Sequence, residues 1–423
     1  MKVKQVKVTP IAFRDPPLLN ASGIHEPYAL RSIIEVETEN GVVGLGETYG
    51  DAPVLAALEE LRQPLVGLSI FDLNGLEAKV RAVLSSLPPP PAGAELAPGS
   101  HPSKQIPNVF SAFEVALLDA QARTIGVPLV ELLGGAVRRE VPFSAYLFFK
   151  YAVHIDDCYP PDPWGEAIDP AGIVAQATRM INAHGFESIK LKAGALEPEV
   201  ECASIRALAA AFPGMPLRID PNGNWSLETA VTCADQLYEM LQYYEDPVPG
   251  LKAMADLHRR TGLPLATNMV VTDFDELRES LSIDAVQIVL SDHHYWGGLR
   301  QTQLLAKICQ MFGLGLSMHS NSHLGISLMA MTHLAAATPH LGYACDTHYP
   351  WVEEDDEIIV GGKVPIRGGC VAVTDAPGLG VELDRNRLAA LHEVYRSIDI
   401  RSRDDARQMR KYRPDWSTRK PRF

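Results

Sequence analysis

An α/β fold, a (β/α)8 barrel of the TIM type preceded by an α+β unit, is predicted by three observations. Seven polar residues, Lys192, Asp220, Glu245, Asn268, Asp292, His319 and Asp346, end short apolar runs at near-constant intervals of roughly 25 residues, about one strand, one helix and two short loops. Between these runs lie stretches with helical apolar spacing, the alternation that βα units require. The first run, Val141–Phe149, leads into Lys150-Tyr151-Ala152 and not into a Gly-rich phosphate loop, which argues against a doubly wound open sheet.

The α+β unit comes first, over residues 1–140. Alternation in Lys2–Phe13 and in Arg31–Glu37 predicts strands, and Asn40-Gly41 ahead of Val42-Val43-Gly44 predicts a hairpin turn. Helices are expected at Val54–Arg62 and Val109–Leu133, the second stopped by Gly134-Gly135. The proline-rich stretch Ser85–Pro107 between them is expected to be loop. From 141 to 365 eight strands are expected: Val141–Phe149, Ser188–Lys192, Leu217–Asp220, Gln242–Glu245, Leu265–Asn268, Ala285–Asp292, Leu314–His319 and Tyr343–Asp346. Helices are expected at Ala171–His184, Glu199–Ala211, Ser226–Met240 and Leu299–Phe312. Tyr151–Pro170 is too long for an ordinary βα loop and is a candidate lid. Residues 366–423 are polar, end in Arg- and Lys-rich sequence, and are expected to pack back on the first unit.

With 423 residues, 46% hydrophobic and 21% charged, the chain has the composition of a soluble protein of two or three domains. No segment reaches the roughly 20 uninterrupted apolar residues of a membrane span, and the alternating start MKVKQVKVTPIAF lacks a signal peptide's apolar region, so a cytoplasmic location is expected. A net charge of −14 opposes nucleic acid and anionic membrane as partners. The six cysteines show no close pairing, so neither a disulfide framework nor a zinc site is expected.

If the barrel is right, the strand ends face one site. Asp220, Glu245 and Asn268 are three oxygen donors from consecutive strands, a hard ligand set that suits Mg²⁺. Singly, each could be a helix cap or turn former. Lys190 and Lys192 flank Leu191, so strand geometry aims both ammonium groups at one side, the barrel interior, unless Leu191 faces inward and the lysines face solvent. Repulsion between them would lower the pKa of one unless anions lie between. Asp292 and His319 form a candidate carboxylate–imidazole pair, although Asp292 could instead cap a turn and His319 could be a core histidine. Together these residues describe a metal flanked by two proton-transfer groups, suited to removing a proton α to a carboxylate.

A Lys or His base with Mg²⁺ is the arrangement of the enolase superfamily, and the chain resembles that superfamily along nearly its whole length, most closely the glucarate dehydratases of the mandelate racemase group. Lys190-Leu191-Lys192-Ala193-Gly194 resembles the base motif, Asp220-Pro221-Asn222-Gly223, Glu245-Asp246-Pro247 and Ala266-Thr267-Asn268-Met269 the ligand motifs, and His319-Ser320-Asn321 with Asp292 the dyad. Asn20–His25 resembles the loop that covers the substrate, Tyr146–Phe149 the first barrel strand, Asp346-Thr347-His348 a substrate-contacting motif, and Arg403-Asp404-Asp405 a returning segment with an arginine.

The resemblance implies a modified barrel with an N-terminal capping domain (1–140) completed by the C-terminal segment (366–423) and a homo-oligomeric assembly. It implies Lys192, His319, Asp292, Lys190 and Asn222 in catalysis, Asp220, Glu245 and Asn268 on Mg²⁺, and His25, Tyr146, Lys190, Asn321, His348 and Arg403 around an acid-sugar dicarboxylate. The implied reaction converts D-glucarate to 5-keto-4-deoxy-D-glucarate. Pro102–Pro107 and Tyr151–Pro170 differ from the pattern of those dehydratases where a distal substrate end would be read, so another aldarate or aldonate, dehydrated or epimerised, stays open. A metal-dependent hydrolase would call for His-x-His on the first strand, which Val141–Phe149 lacks. A non-catalytic sugar-acid binder would leave the full constellation without a purpose.

Overall fold

In the computed structural model, which describes residues 1–87, 101–156 and 162–423, a curled sheet of seven parallel strands carries the site. A three-stranded antiparallel sheet stands ahead of it in the chain: β1 (Val3–Arg14), β2 (Tyr28–Thr38) and β3 (Val43–Tyr49). The expected Asn40-Gly41 turn joins β2 to β3, with Gly41 at φ 83°, a left-handed backbone that glycine adopts without strain. Helices α1 (Ala52–Leu61), α2 (Leu73–Leu84) and α3 (Gln105–Ile125) follow. Residues 88–100, most of the expected Ser85–Pro107 loop, lie outside the described residues. At its far end α3 begins two residues before Pro107, which falls in the first turn where no intrahelical N–H partner is needed. It stops at Gly126, well before Gly134-Gly135, because Gly126 turns left-handed and Pro128 follows; a separate short helix, α4 (Leu129–Leu132), fills the rest of the expected Val109–Leu133 helix.

Strand β4 (Glu140–Pro142) leaves the expected first strand to pair elsewhere, and β5 (Ala145–Phe148) opens the parallel sheet. Then α5 (Pro170–His184), β6 (Ile189–Lys192), α6 (Pro198–Ala211), β7 (Leu217–Asp220), α7 (Leu227–Leu237) and β8 (Leu241–Glu245) alternate. They are followed by α8 (Leu251–Thr261), β9 (Leu265–Thr267), α9 (Phe274–Ile283), β10 (Ile288–Ser291), α10 (Leu299–Phe312), β11 (Gly315–Met318) and α11 (Gly325–Ala336). Strand order β11-β10-β9-β8-β7-β6-β5 is strictly sequential, the order of a barrel and not of a doubly wound sheet.

The eighth expected strand, Tyr343–Asp346, is not a regular strand. It closes the barrel through a few backbone bonds: on one side Asp346 N–H donates to the Met318 carbonyl at 2.8 Å, and on the other Ser144 N–H donates to the Cys345 carbonyl and Cys345 N–H to the Pro142 carbonyl, each at 2.9 Å. Strand β12 (Cys370–Ala372) pairs with β4, α12 (Arg385–Ser397) packs along β1, and α13 (Asp405–Tyr412) ends the helices. The candidate lid has residues 157–161 outside the described part. The Lys150 ammonium joins its two described ends, 2.9 Å from Asp162 and bonded to the Tyr151 and Gly165 carbonyls. Cys202, Cys233, Cys309 and Cys345 are buried free thiols, and Cys370 is partly exposed.

One packing contact has a pH consequence. Glu114 on α3 is buried against the start of α10, accepts the Leu299 N–H at 2.6 Å, and occupies the space that a Cβ on Gly298 would need. Burial pushes this carboxyl up from 4.5 to about 7 despite those N–H groups. A folded pKa above the unfolded one means that the stabilisation is complete below about 4.5 and is lost as pH rises through about 7, a swing of about 3 kcal/mol. Glu114→Gln, with unfolding by urea measured from about pH 5 to about pH 8, is expected to flatten the fall in stability by that amount.

Candidate active site

Strand phase builds the site. In every barrel strand the residues of one alternation point inward: Tyr146 and Phe148, Lys190 and Lys192, Arg218 and Asp220, Tyr243 and Glu245. A cluster of Tyr243, Ala266, Ile288 and Leu290 packs inside the barrel, with Arg218 over the Tyr243 ring at 4.7 Å.

Lys190 and Lys192 face inward, and anions do lie between them. Lys192 Nζ donates to Asp220 Oδ2 and Asn222 Oδ1, each at 2.7 Å, while Lys190 Nζ is 3.5 Å from the same Asp220 oxygen. Lys190 also donates to Glu245 Oε1 at 2.5 Å and Asp346 Oδ2 at 2.6 Å, and sits 4.6 Å from the centre of the Tyr146 ring. The expected depression of a lysine pKa is reversed at Lys190: burial alone would lower it, but Asp346 and Glu245 raise it well above the ordinary value. Burial works against the Asp220 carboxylate too, and there Lys192 and Lys190 prevail, holding it below its ordinary value. Glu245 is pushed well up by burial and by the charges of Asp220, Asp346 and Asp246, beyond what Lys190 offsets.

Asn268 is placed by a residue that strand spacing does not reveal. Asp246, in a left-handed backbone at φ 36°, accepts the Asn268 N–H at 2.8 Å and the Thr267 hydroxyl at 2.5 Å. Its carboxyl is raised to about 7 by burial and by Asp220. Across the barrel, Asp292 Oδ2 accepts from His319 Nδ1 at 3.2 Å. Burial would raise the Asp292 carboxyl, but His294 and His319 hold it well below the carboxylate range; burial in turn lowers His319 in spite of Asp292. Asp292 also accepts the His294 backbone N–H at 2.9 Å, so its turn-forming and histidine-holding roles coexist.

These groups open on a cleft between the barrel mouth and the antiparallel sheet. Lys192, Asn222, Asn268 and His319 line it, joined by His25, Tyr146, Asn321, His348 and Arg403. Asp220 and Glu245 lie beneath, and Asp292 behind His319. Lys190 does not reach the cleft wall: it is fully buried under Glu245 and Asp346. Arg403 reaches it with Nε and Nη2 already on Asp405 at 2.7 and 2.6 Å. His25 is fixed by Asp15 at 3.0 Å and stacks at 6.2 Å on His348. Tyr49, Asp15, Asp51 and Arg31 are cleft residues that the sequence reading missed. The only signal for Arg31 is its place at the start of the alternating run Arg31–Glu37, which does not set it apart from Glu35 or Glu37. The others carry none.

Residues 9–134 match the mandelate racemase/muconate lactonizing enzyme N-terminal domain, and residues 172–387 match the enolase C-terminal domain-like family. The chain belongs to the enolase superfamily. Among its relatives in that superfamily, a probable glucarate dehydratase of Streptomyces coelicolor is 51% identical over 424 residues, spanning 99% of this chain and 98% of that protein. A crystal structure of an enolase from Pseudomonas fluorescens, with bound magnesium, potassium and tartrate, is 67% identical, superposes with a TM-score of 0.98, and covers 100% of this chain and 99% of that one. An enolase from Thermobispora bispora, complexed with magnesium and formate, is 47% identical with a TM-score of 0.94 and full coverage of both chains. The chain is thus an enzyme with the superfamily's barrel and capping domain. No helix among the described residues is long and apolar enough to cross a membrane.

Proposed function

We propose that the chain is a Mg²⁺-dependent dehydratase of an acid sugar, acting on D-glucarate to give 5-keto-4-deoxy-D-glucarate. The observation that carries this reading is the placing of Lys192 and His319 on the same cleft with Asn268, above Asp220 and Glu245. The donor set fits the metal. Four buried carboxylates, Asp220, Glu245, Asp246 and Asp346, outnumber the two lysines with Arg218 3.7 Å from Asp346, and Glu245 Oε2 is buried without a hydrogen-bond partner. A hard cation held by Asp220, Glu245 and Asn268 would answer both. The magnesium in the Pseudomonas and Thermobispora enolases and the name of the Streptomyces relative support the reading.

Bound there, Mg²⁺ would act as a Lewis acid for the charge that develops on the substrate carboxylate. The protein's residues do the rest. Asp220 and Asn222 take two of the Lys192 hydrogen-bonding positions and leave one for the substrate. Lys192 Nζ, or His319 Nε2 from the other side, removes the proton α to the carboxylate, and the C–H electrons form the new C=C bond as the β C–O bond breaks. His319 gives a proton to the departing hydroxyl, which leaves as water, and the enol product tautomerises to the keto acid. Asp292 keeps a proton on His319 Nδ1, so Nε2 faces the reaction: it accepts the α-proton as the neutral ring, and as the imidazolium it carries the proton that the departing hydroxyl takes.

A second reading has its own observation. Arg403 already serves Asp405, and Asp15 and Asp51 line the same cleft, surroundings that favour hydroxyls over a second carboxylate and so an aldonate over an aldarate. A panel of aldarates and aldonates assayed for 2-keto acid formation separates the two readings. Treatment with a chelator is expected to abolish turnover and added Mg²⁺ to restore it; turnover that persists in full without metal would sink both.

A further inference from the structure

Asp292 serves two histidines. Its Oδ2 accepts from His319, and its Oδ1 accepts from His294 Nδ1 at 2.7 Å as well as from the His294 backbone N–H. An ionised carboxylate has no proton to give, so His294 carries its proton on Nδ1 and presents a lone pair at Nε2. The other side agrees: Nε2 meets Arg31 Nη2 at 3.1 Å and Ser327 Oγ at 3.0 Å, and a guanidinium can only donate. Glu47 holds Arg31 Nε at 2.9 Å, and itself accepts the Leu324 and Ser327 N–H groups, at 2.9 and 2.8 Å, around the start of α11. Glu47, Arg31, His294, Asp292 and His319 thus form one buried chain of hydrogen bonds in which each donor and acceptor is determined.

Asp292, His293 and His294 bring possible ligand atoms within 4.8 Å of one another. They do not suit a cation, because the Arg31 charge faces His294 Nε2 and the Nδ1 position carries the proton donated to Asp292.

We infer that His294 is a positioning residue for His319, held in its working tautomer by Asp292 on one side and by Arg31 of the antiparallel sheet on the other. The inference rests on the reading of Asp292–His319 as the acid–base pair. With Oδ1 pinned twice by His294, the Asp292 carboxylate can present Oδ2 to His319 in one orientation only. The shared hydrogen bond also weakens the support that Asp292 gives to the protonated ring of His319, which favours delivery of its Nε2 proton to a leaving hydroxyl. Because Arg31 and Glu47 lie on β2 and β3, the seating of that sheet on the barrel becomes a condition for the geometry of the acid.

Two measurements test this. Imidazole ¹⁵N NMR of the full chain labelled at histidine, with His294 assigned by its loss in His294→Asn, is expected to show the Nδ1–H form at His294; the Nε2–H form overturns the inference. This result does not depend on finding the substrate, so a failure of the proposed chemistry stays distinguishable. On any acid sugar that is turned over, His294→Phe is expected to lower kcat about 100-fold with KM held within about two-fold. His294→Asn, whose amide can stand where Nδ1 stood, is expected to recover about ten-fold of that loss. A kcat for His294→Phe within about two-fold of the parent, or a loss in His294→Asn as deep as in His294→Phe, overturns it.

Discussion

Lys192→Ala is expected to lower kcat by about 1,000-fold on an acid sugar whose α-proton faces that strand, the loss that follows from removing a general base. Lys192 is the cleft lysine: Asp220 and Asn222 orient it at 2.7 Å, whereas Lys190 is sealed beneath two carboxylates. The variant keeps the other proton-transfer group, so exchange of an α-proton with solvent on the His319 face is expected to remain detectable in D₂O by NMR. Asp220 keeps Lys190 as a neighbour at 3.5 Å, so the metal-free fold should survive the change. Full turnover by Lys192→Ala on every acid sugar tried would remove this lysine from the chemistry.

Glu245→Gln is expected to act in opposite directions on activity and on stability. The carboxylate sits among Asp220, Asp246 and Asp346 with one oxygen on Lys190 and the other without a partner, and burial with those charges pushes its pKa well up. Glutamine keeps the shape and the acceptor for Lys190 but loses the charge. Turnover at saturating Mg²⁺ should fall by about 1,000-fold, because two carboxylates and an amide become one carboxylate and two amides. The metal-free variant should melt at a higher temperature than the parent near neutral pH, because repulsion among buried carboxylates is relieved. Activity assays over a Mg²⁺ series and thermal unfolding in chelator check the two halves; a variant that is less stable without metal would refute the charge argument.

Much of the barrel could be read from the sequence, because its information is local. Strand and helix periods and the polar residue that closes each apolar run depend on neighbours a few residues apart, and α10 spans the expected Leu299–Phe312. The misses have one local cause and one distant one. Gly126 and Pro128 divide the helix expected at Val109–Leu133, and β4 draws Glu140–Pro142 away to pair with β12. Residues 343–346 stand where the eighth strand was expected, bonded on both sides yet without a strand's regular ladder.

By itself, then, the sequence singled out the polar groups at the mouth of a barrel, since a repeat of roughly 25 residues sets Lys192, Asp220, Glu245, Asn268, Asp292 and His319 at successive strand ends, although period-2 alternation alone leaves two faces to choose from. Only the tertiary structure decided what each of them touches. Asp346 follows the same rhythm but neutralises Lys190 from 156 residues away, and Arg31 reaches His294 across 263. Such pairings leave no periodic trace. They depend on how the curled sheet closes and where the antiparallel sheet settles on it, and both follow from packing over long sequence separations and not from any local preference of the chain.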